Sequence, residues 1–121
     1  HQETLFSTYG FANNVLPIDT TLNDAGKMGI TQQASDSLLF KIPSLRNLSY
    51  THPYMHDGRF RKLYQVLNHY ISGITDSPTL SKELQTPINL NSHEKADLIA
   101  FLLTLDDASF VFNRNHAFPT P

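Results

Sequence analysis

No cysteine occurs among the 121 residues, so disulfides, thiol catalysis, cysteine–zinc sites and thioether-linked prosthetic groups are excluded within them. No run of Lys or Arg follows a phosphate backbone; nine basic against eleven acidic residues give a formal charge of -2, which argues against a nucleic-acid partner. No apolar stretch approaches the roughly 20 residues of a bilayer span; the longest candidate, residues 98–105, is interrupted by Thr104. A soluble chain without a signal peptide is expected. The first residue is His1 and not a methionine, from which we expect a chain that begins inside a longer protein.

What is present suits one folded domain: 40% hydrophobic residues, 11% aromatic and 17% charged. Residues 8–37 are rich in Asn, Asp, Thr, Gly and Ser without a sustained period, and read as a long ordered loop. Loops beyond about 12–15 residues are uncommon unless they are functional or wrap something. The short apolar run 38–42 is closed by Pro43, which biases Ile42 to an extended backbone and permits a short helix over 44–50. Residues 51–58 set Pro and Asp-Gly turn signals around bulky side chains.

Leu63, Val66, Leu67, Tyr70 and Ile71 recur at helical spacing, which predicts a helix over 62–72 capped by Gly73. A second helix is predicted over 92–105, with Asn91 as N-cap, Glu94 completing a capping box, and Leu98, Ile99, Leu102, Leu103 and Leu105 buried. Beyond Asp107 a packed or extended tail is expected, and no alternation is long enough to build a sheet. The fold class is therefore all-α with long loops. Short helices bury little apolar area, so such a domain is either organised around a prosthetic group or is a helical module whose loops pack upon it.

The most specific pattern is Phe40-Lys41-Ile42-Pro43-Ser44-Leu45-Arg46-Asn47-Leu48. It is followed by Thr51-His52-Pro53-Tyr54-Met55-His56-Asp57-Gly58-Arg59-Phe60, by Leu63, Val66 and His69-Tyr70, and by a helix from Glu94 through Leu105. In this order over nearly the whole chain, the pattern resembles the C-terminal haem domain of the bacterial di-haem cytochrome c peroxidase and MauG family. The resemblance implies a single cytochrome c-like domain over residues 1–121, the C-terminal part of a longer di-haem protein.

It also implies that His1 is the proximal iron-ligating histidine of a C-x-x-C-H motif whose cysteines lie outside this sequence. Without those cysteines haem c belongs to the parent and is not covalently attached here. For the second axial position Tyr70 matches the place where family peroxidases carry methionine and MauG carries tyrosine, and an anionic oxygen stabilises ferric iron. Taken without the resemblance, Tyr70 reads as a buried aromatic with a bonded hydroxyl. Met55 in its turn is the competing ligand, and Met28 shares its ambiguity; His69, off the apolar stripe, reads as a surface histidine.

His56 would lie at the haem edge or brace its loop, and Arg46 and Arg59 are candidate propionate partners. Thr51 and Pro53 would offer backbone carbonyls to calcium, which favours oxygen ligands. Glu94, Asp97, Asp106 and Asp107 read as helix-end and surface charges. By the same resemblance the parent is a periplasmic oxidoreductase that reduces hydrogen peroxide. This domain would receive electrons from a small cytochrome or copper protein and pass them to a peroxidatic haem in an N-terminal domain of the same chain, with no catalytic residue of its own and no turnover alone. MauG-like oxidation of a protein substrate and a cofactor-free helical interaction module are the alternatives, and a homodimer is left open.

Overall fold

The computed structural model describes residues 10–16, 21 and 24–117. His1 and the tail from Phe118 lie outside them, and so do the parts of the long predicted loop at 8–9, 17–20 and 22–23. The chain divides into two compact units, His1–Pro43 with Val66–Asn89, and Ser44–Gln65 with Leu90–Pro121.

In the first unit, β1 (Phe11–Ala12) pairs antiparallel with β2 (Phe40–Lys41), Phe11 opposite Lys41 and Ala12 opposite Phe40. This small pairing departs from the all-α expectation. It needs only two residues on each side, too few to register as alternation in sequence. The predicted long loop also holds α1 (Met28–Thr31) and a 3₁₀ turn at Ala34–Asp36. Gly26, at φ +64°, permits the close approach that anchors α1: a Cβ there would stand 2.6 Å from the Leu39 carbonyl oxygen, which accepts from the Lys27 amide at 2.8 Å.

A buried polar centre holds this unit together. Asn13 is 2% exposed; its side-chain amide donates to the Ser77 and Thr79 hydroxyls at 3.2 and 2.8 Å. Its Oδ1 accepts from the Val15 amide at 2.8 Å, and its backbone amide donates to the Ser81 hydroxyl. The Thr79 hydroxyl donates onward to the Ser37 carbonyl. Val15 and Leu16 are buried next to this centre in sequence. Val15 takes φ 35°, a costly conformation for a β-branched residue, and the Asn13 side-chain Oδ1 accepts from its amide in the turn that holds it there.

The predicted helix over 62–72 is two structures in succession. α2 spans Leu63–Asn68 and is continued by a π-helical segment, His69–Gly73. Gly73 therefore does more than end a helix: a Cβ there would meet the His69 imidazole Nδ1 at 2.8 Å, so the bare glycine makes room for that ring.

In the second unit, the helix expected over 44–50 is reduced to a 3₁₀ turn at Leu48–Tyr50, preceded by Asn47 in the left-handed region. α3 (Ser92–Leu103) carries the predicted capping box: the Asn91 side chain accepts from the Glu94 amide, and the Glu94 carboxylate accepts from the Asn91 amide. Leu102 is its buried residue and Leu98, Ile99 and Leu105 are half-buried. Leu103, expected inside, is instead 43% exposed, and Phe101 is 58% exposed. The tail after Asp107 is also corrected. α4 (Ala108–Val111) forms because Asp107 caps it, its carboxylate accepting from the Phe110 amide, and a 3₁₀ turn follows at Arg114–His116.

Candidate functional site around Tyr70

Tyr70 sits in the π-helical segment, half-buried, with its hydroxyl oxygen 3.2 Å from the Asn14 side-chain nitrogen that donates to it. Insertion of a π turn into an α-helix is frequent at functional sites because it re-aims the side chains that follow. His69, its neighbour, is 5% exposed, which corrects the expectation of a surface histidine. Its Nε2 lies 2.8 Å from the Asn14 carbonyl oxygen, and its ring meets the Tyr70 ring edge-on at 5.5 Å between centroids. A carbonyl oxygen only accepts, so Nε2 carries the proton. Helical spacing placed His69 off the apolar stripe. The wider π turn and the glycine at 73 bring the ring inside.

Asn14, His69 and Tyr70 are thus gathered at one point of the first unit, although 55 positions separate Asn14 from His69. Met28 opens α1 in the same unit and is half-buried.

The remaining candidates occupy the second unit. Met55 takes φ 72° in the turn closed by the Gly58 amide donating to its carbonyl at 3.2 Å, and the isolated bridge between Tyr54 and Phe60 fixes the base of that turn. Gly58, at φ +68°, suits the left-handed position there. His56 is exposed at the tip. Arg59 is committed to Asp57: its Nε and Nη2 lie 2.7 and 2.5 Å from Asp57 Oδ2, and the Asp57 side chain is 4% exposed. The Arg59 hydrogen bond holds the Asp57 carboxyl below its ordinary value, against a smaller opposing effect of burial. Arg46 is exposed, its backbone amide turned to the Ser44 hydroxyl. Thr51 and Pro53 are exposed, and the Thr51 hydroxyl donates to the Leu48 carbonyl at 3.3 Å.

Among the described residues no group of three or more His, Cys, Asp or Glu side chains is placed to hold a metal ion, and no helix is long and apolar enough to cross a membrane. The donor chemistry at Tyr70 fits ferric haem iron: tyrosine is among the side chains that ligate haem iron, and here a half-buried phenol oxygen is held by one amide hydrogen bond. Sequence reasoning missed Asn14. The Asn13-Asn14 pair was the available signal, but nothing local says that two adjacent amides serve two different distant partners.

No family profile matches. The methylamine utilization protein MauG of Methylorubrum extorquens is 50% identical over 66 residues, 54% of this chain and 18% of that protein. A cytochrome-c peroxidase, IdrP1 of Pseudomonas sp. strain SCT, is 43% identical over 82 residues, 68% of this chain and 21% of that protein. The chain thus spans about a fifth of the length of these curated relatives. Among solved structures, a MauG-like protein associated with microbial copper homeostasis superposes with a TM-score of 0.70 at 32% identity, covering 92% of this chain and 39% of that one. That likeness covers far more of the chain than the pattern around residues 40–60, and with these relatives the chain belongs to the MauG and di-haem cytochrome-c peroxidase family.

Proposed function

We propose that this chain is a cytochrome c-like haem domain, the C-terminal electron-transfer part of a longer periplasmic di-haem oxidoreductase. That protein would reduce hydrogen peroxide, with two electrons and two protons, to two waters, the haem of its N-terminal domain supplying the redox chemistry. The electrons come from a small reduced cytochrome or copper protein and pass through this domain. The observation that carries the reading is the Tyr70 oxygen held by the Asn14 amide in a family whose relatives are named MauG and cytochrome-c peroxidase.

Tyr70 and His1 would hold the iron, with Met55 as the alternative to Tyr70. The haem, when bound, supplies reversible one-electron chemistry at its iron. The chain's own residues supply the surroundings. The Asn14 amide holds the Tyr70 oxygen in its orientation, and the buried His69 ring packs beside it. The Asp57–Arg59 pair braces the turn that carries Met55 and His56. Arg59 would meet a propionate only by sharing its guanidinium with Asp57, and exposed Arg46 is the less encumbered candidate. Calcium at the Thr51 and Pro53 carbonyls is part of the same proposal, with its further ligands coming from outside this chain. Turnover of peroxide requires the N-terminal domain, so this chain alone is expected to be inactive.

Tyr70 favours a second reading, MauG-like oxidation of a protein substrate, because an oxygen ligand stabilises higher iron oxidation states than a thioether does. Both readings are tested in the full-length protein, carrying its haem-attachment cysteines, by ferric absorption and electron paramagnetic resonance spectra of wild type and Tyr70→Phe. A changed spectrum supports Tyr70 as ligand. An unchanged one moves the ligand to Met55, and failure to attach haem would leave a helical interaction module. Peroxide consumption with a reduced small donor, against oxidation of a protein substrate, then separates the two activities.

A further inference from the structure

We propose that His69 is a positioning residue for Tyr70, acting through Asn14. The inference rests on the reading of Tyr70 as iron ligand and adds to it what aims the ligand. Three contacts form one chain. The His69 Nε2–H donates to the Asn14 carbonyl at 2.8 Å, the Asn14 side-chain amide donates to the Tyr70 oxygen at 3.2 Å, and the two rings meet at 5.5 Å. Asn14 is held at its backbone by one helical residue and holds the next residue with its side chain.

The arrangement is built, not incidental. His69 is 5% exposed, and the π turn allows consecutive residues 69 and 70 to reach the same asparagine from two sides. The ring is also sterically set, since any Cβ at residue 73 would lie 2.8 Å from Nδ1. An imidazole fixed in this way fixes the Asn14 backbone. The amide that bonds to Tyr70 is then aimed without having to be ordered when the ligand binds. Outer partners of this kind commonly change metal-site behaviour about 10- to 100-fold when removed.

The test uses the haem-loaded full-length protein and compares ferric spectra of Tyr70→Phe, His69→Leu, His69→Gln, Gly73→Ala and Asn14→Asp. We expect the tyrosine-dependent ferric signature, defined as what Tyr70→Phe abolishes, to be lost or split into two populations in His69→Leu and Asn14→Asp. His69→Gln, which keeps a donor for the Asn14 carbonyl, should restore it. Gly73→Ala leaves every donor in place but displaces the ring, and should perturb the same signature. A merely structural His69 predicts lower thermal stability with the signature intact in the folded fraction, and that result overturns the proposal while leaving Tyr70 as ligand. If Tyr70→Phe itself leaves the spectrum unchanged, the ligand reading fails and the positioning role falls with it. Should His69→Leu not fold, Asn14→Asp and Gly73→Ala decide by the same signature.

Discussion

The two units of this chain are stabilised by different means. Of the seven buried residues among those described, Asn13, Val15, Leu16, Asp36, Leu67 and His69 belong to the first unit and Leu102 alone to the second. Conversely, the exposed large apolar residues gather in the second: Leu45, Tyr50, Tyr64, Phe101, Leu103, Phe110 and Phe112, against Phe11 and Ile30 in the first. The first unit is thus specified by buried hydrogen bonds converging on Asn13 and Asn14. The second relies on a capping box, a capped short helix, a braced turn and exposed hydrogen bonds that join Asn47 and Ser49 to residues 105–107. Buried polar groups are costly when a partner is lost, whereas exposed contacts are forgiving. Sensitivity to substitution should therefore be unequal.

Asn13→Ala should show the largest effect, because it removes two side-chain donors and one acceptor together in a buried setting. We expect a loss of roughly 3 kcal/mol, read from urea denaturation. A loss below about 1 kcal/mol would break the comparison. In the second unit Asn91→Ala should cost about 1 kcal/mol, since it removes a helix cap that water partly replaces. Equal losses for the two asparagines would mean that burial does not set the difference.

The Asp57–Arg59 pair adds a pH dependence to the second unit. Because the Arg59 hydrogen bond holds the folded carboxyl below its ordinary value of 3.8, its stabilisation is present above that value and is lost as the pH falls through the folded value. The difference in stability between wild type and Asp57→Asn should therefore shrink in acid, and a difference constant from pH 7 down to about 2 would remove the pair from the account. The smallest effect is expected for Phe112→Ser. This ring is 71% exposed and meets Tyr50 edge-on at 5.5 Å, so a change within about 0.5 kcal/mol is predicted.

Legibility follows the same division. The α3 capping box could be read directly, since Asn91 and Glu94 are three residues apart and bond to each other. Asp107 carried an equally local cap for α4, but the short and aromatic segment after it offered no periodicity to confirm a helix. The turn around Met55 was legible from Pro53 and Asp57-Gly58. Periodicity found α2 and its apolar stripe, yet it could not reveal the π segment that ends it, because one widened turn leaves the spacing of the preceding residues unchanged. His69 was misplaced for that reason.

The sequence by itself determined the family pattern, the position of Tyr70 on an apolar helical face, the absence of any cysteine to tether a haem, and the helix caps. All of these depend on residues close together in the chain or on composition. Only the tertiary structure decided that Asn14 meets His69 and Tyr70, that Asn13 ties residues 77, 79 and 81 to the first strand, and that Leu103 faces outward. Contacts across 55 to 68 positions depend on where the backbone returns after its loops, and no local propensity encodes that return.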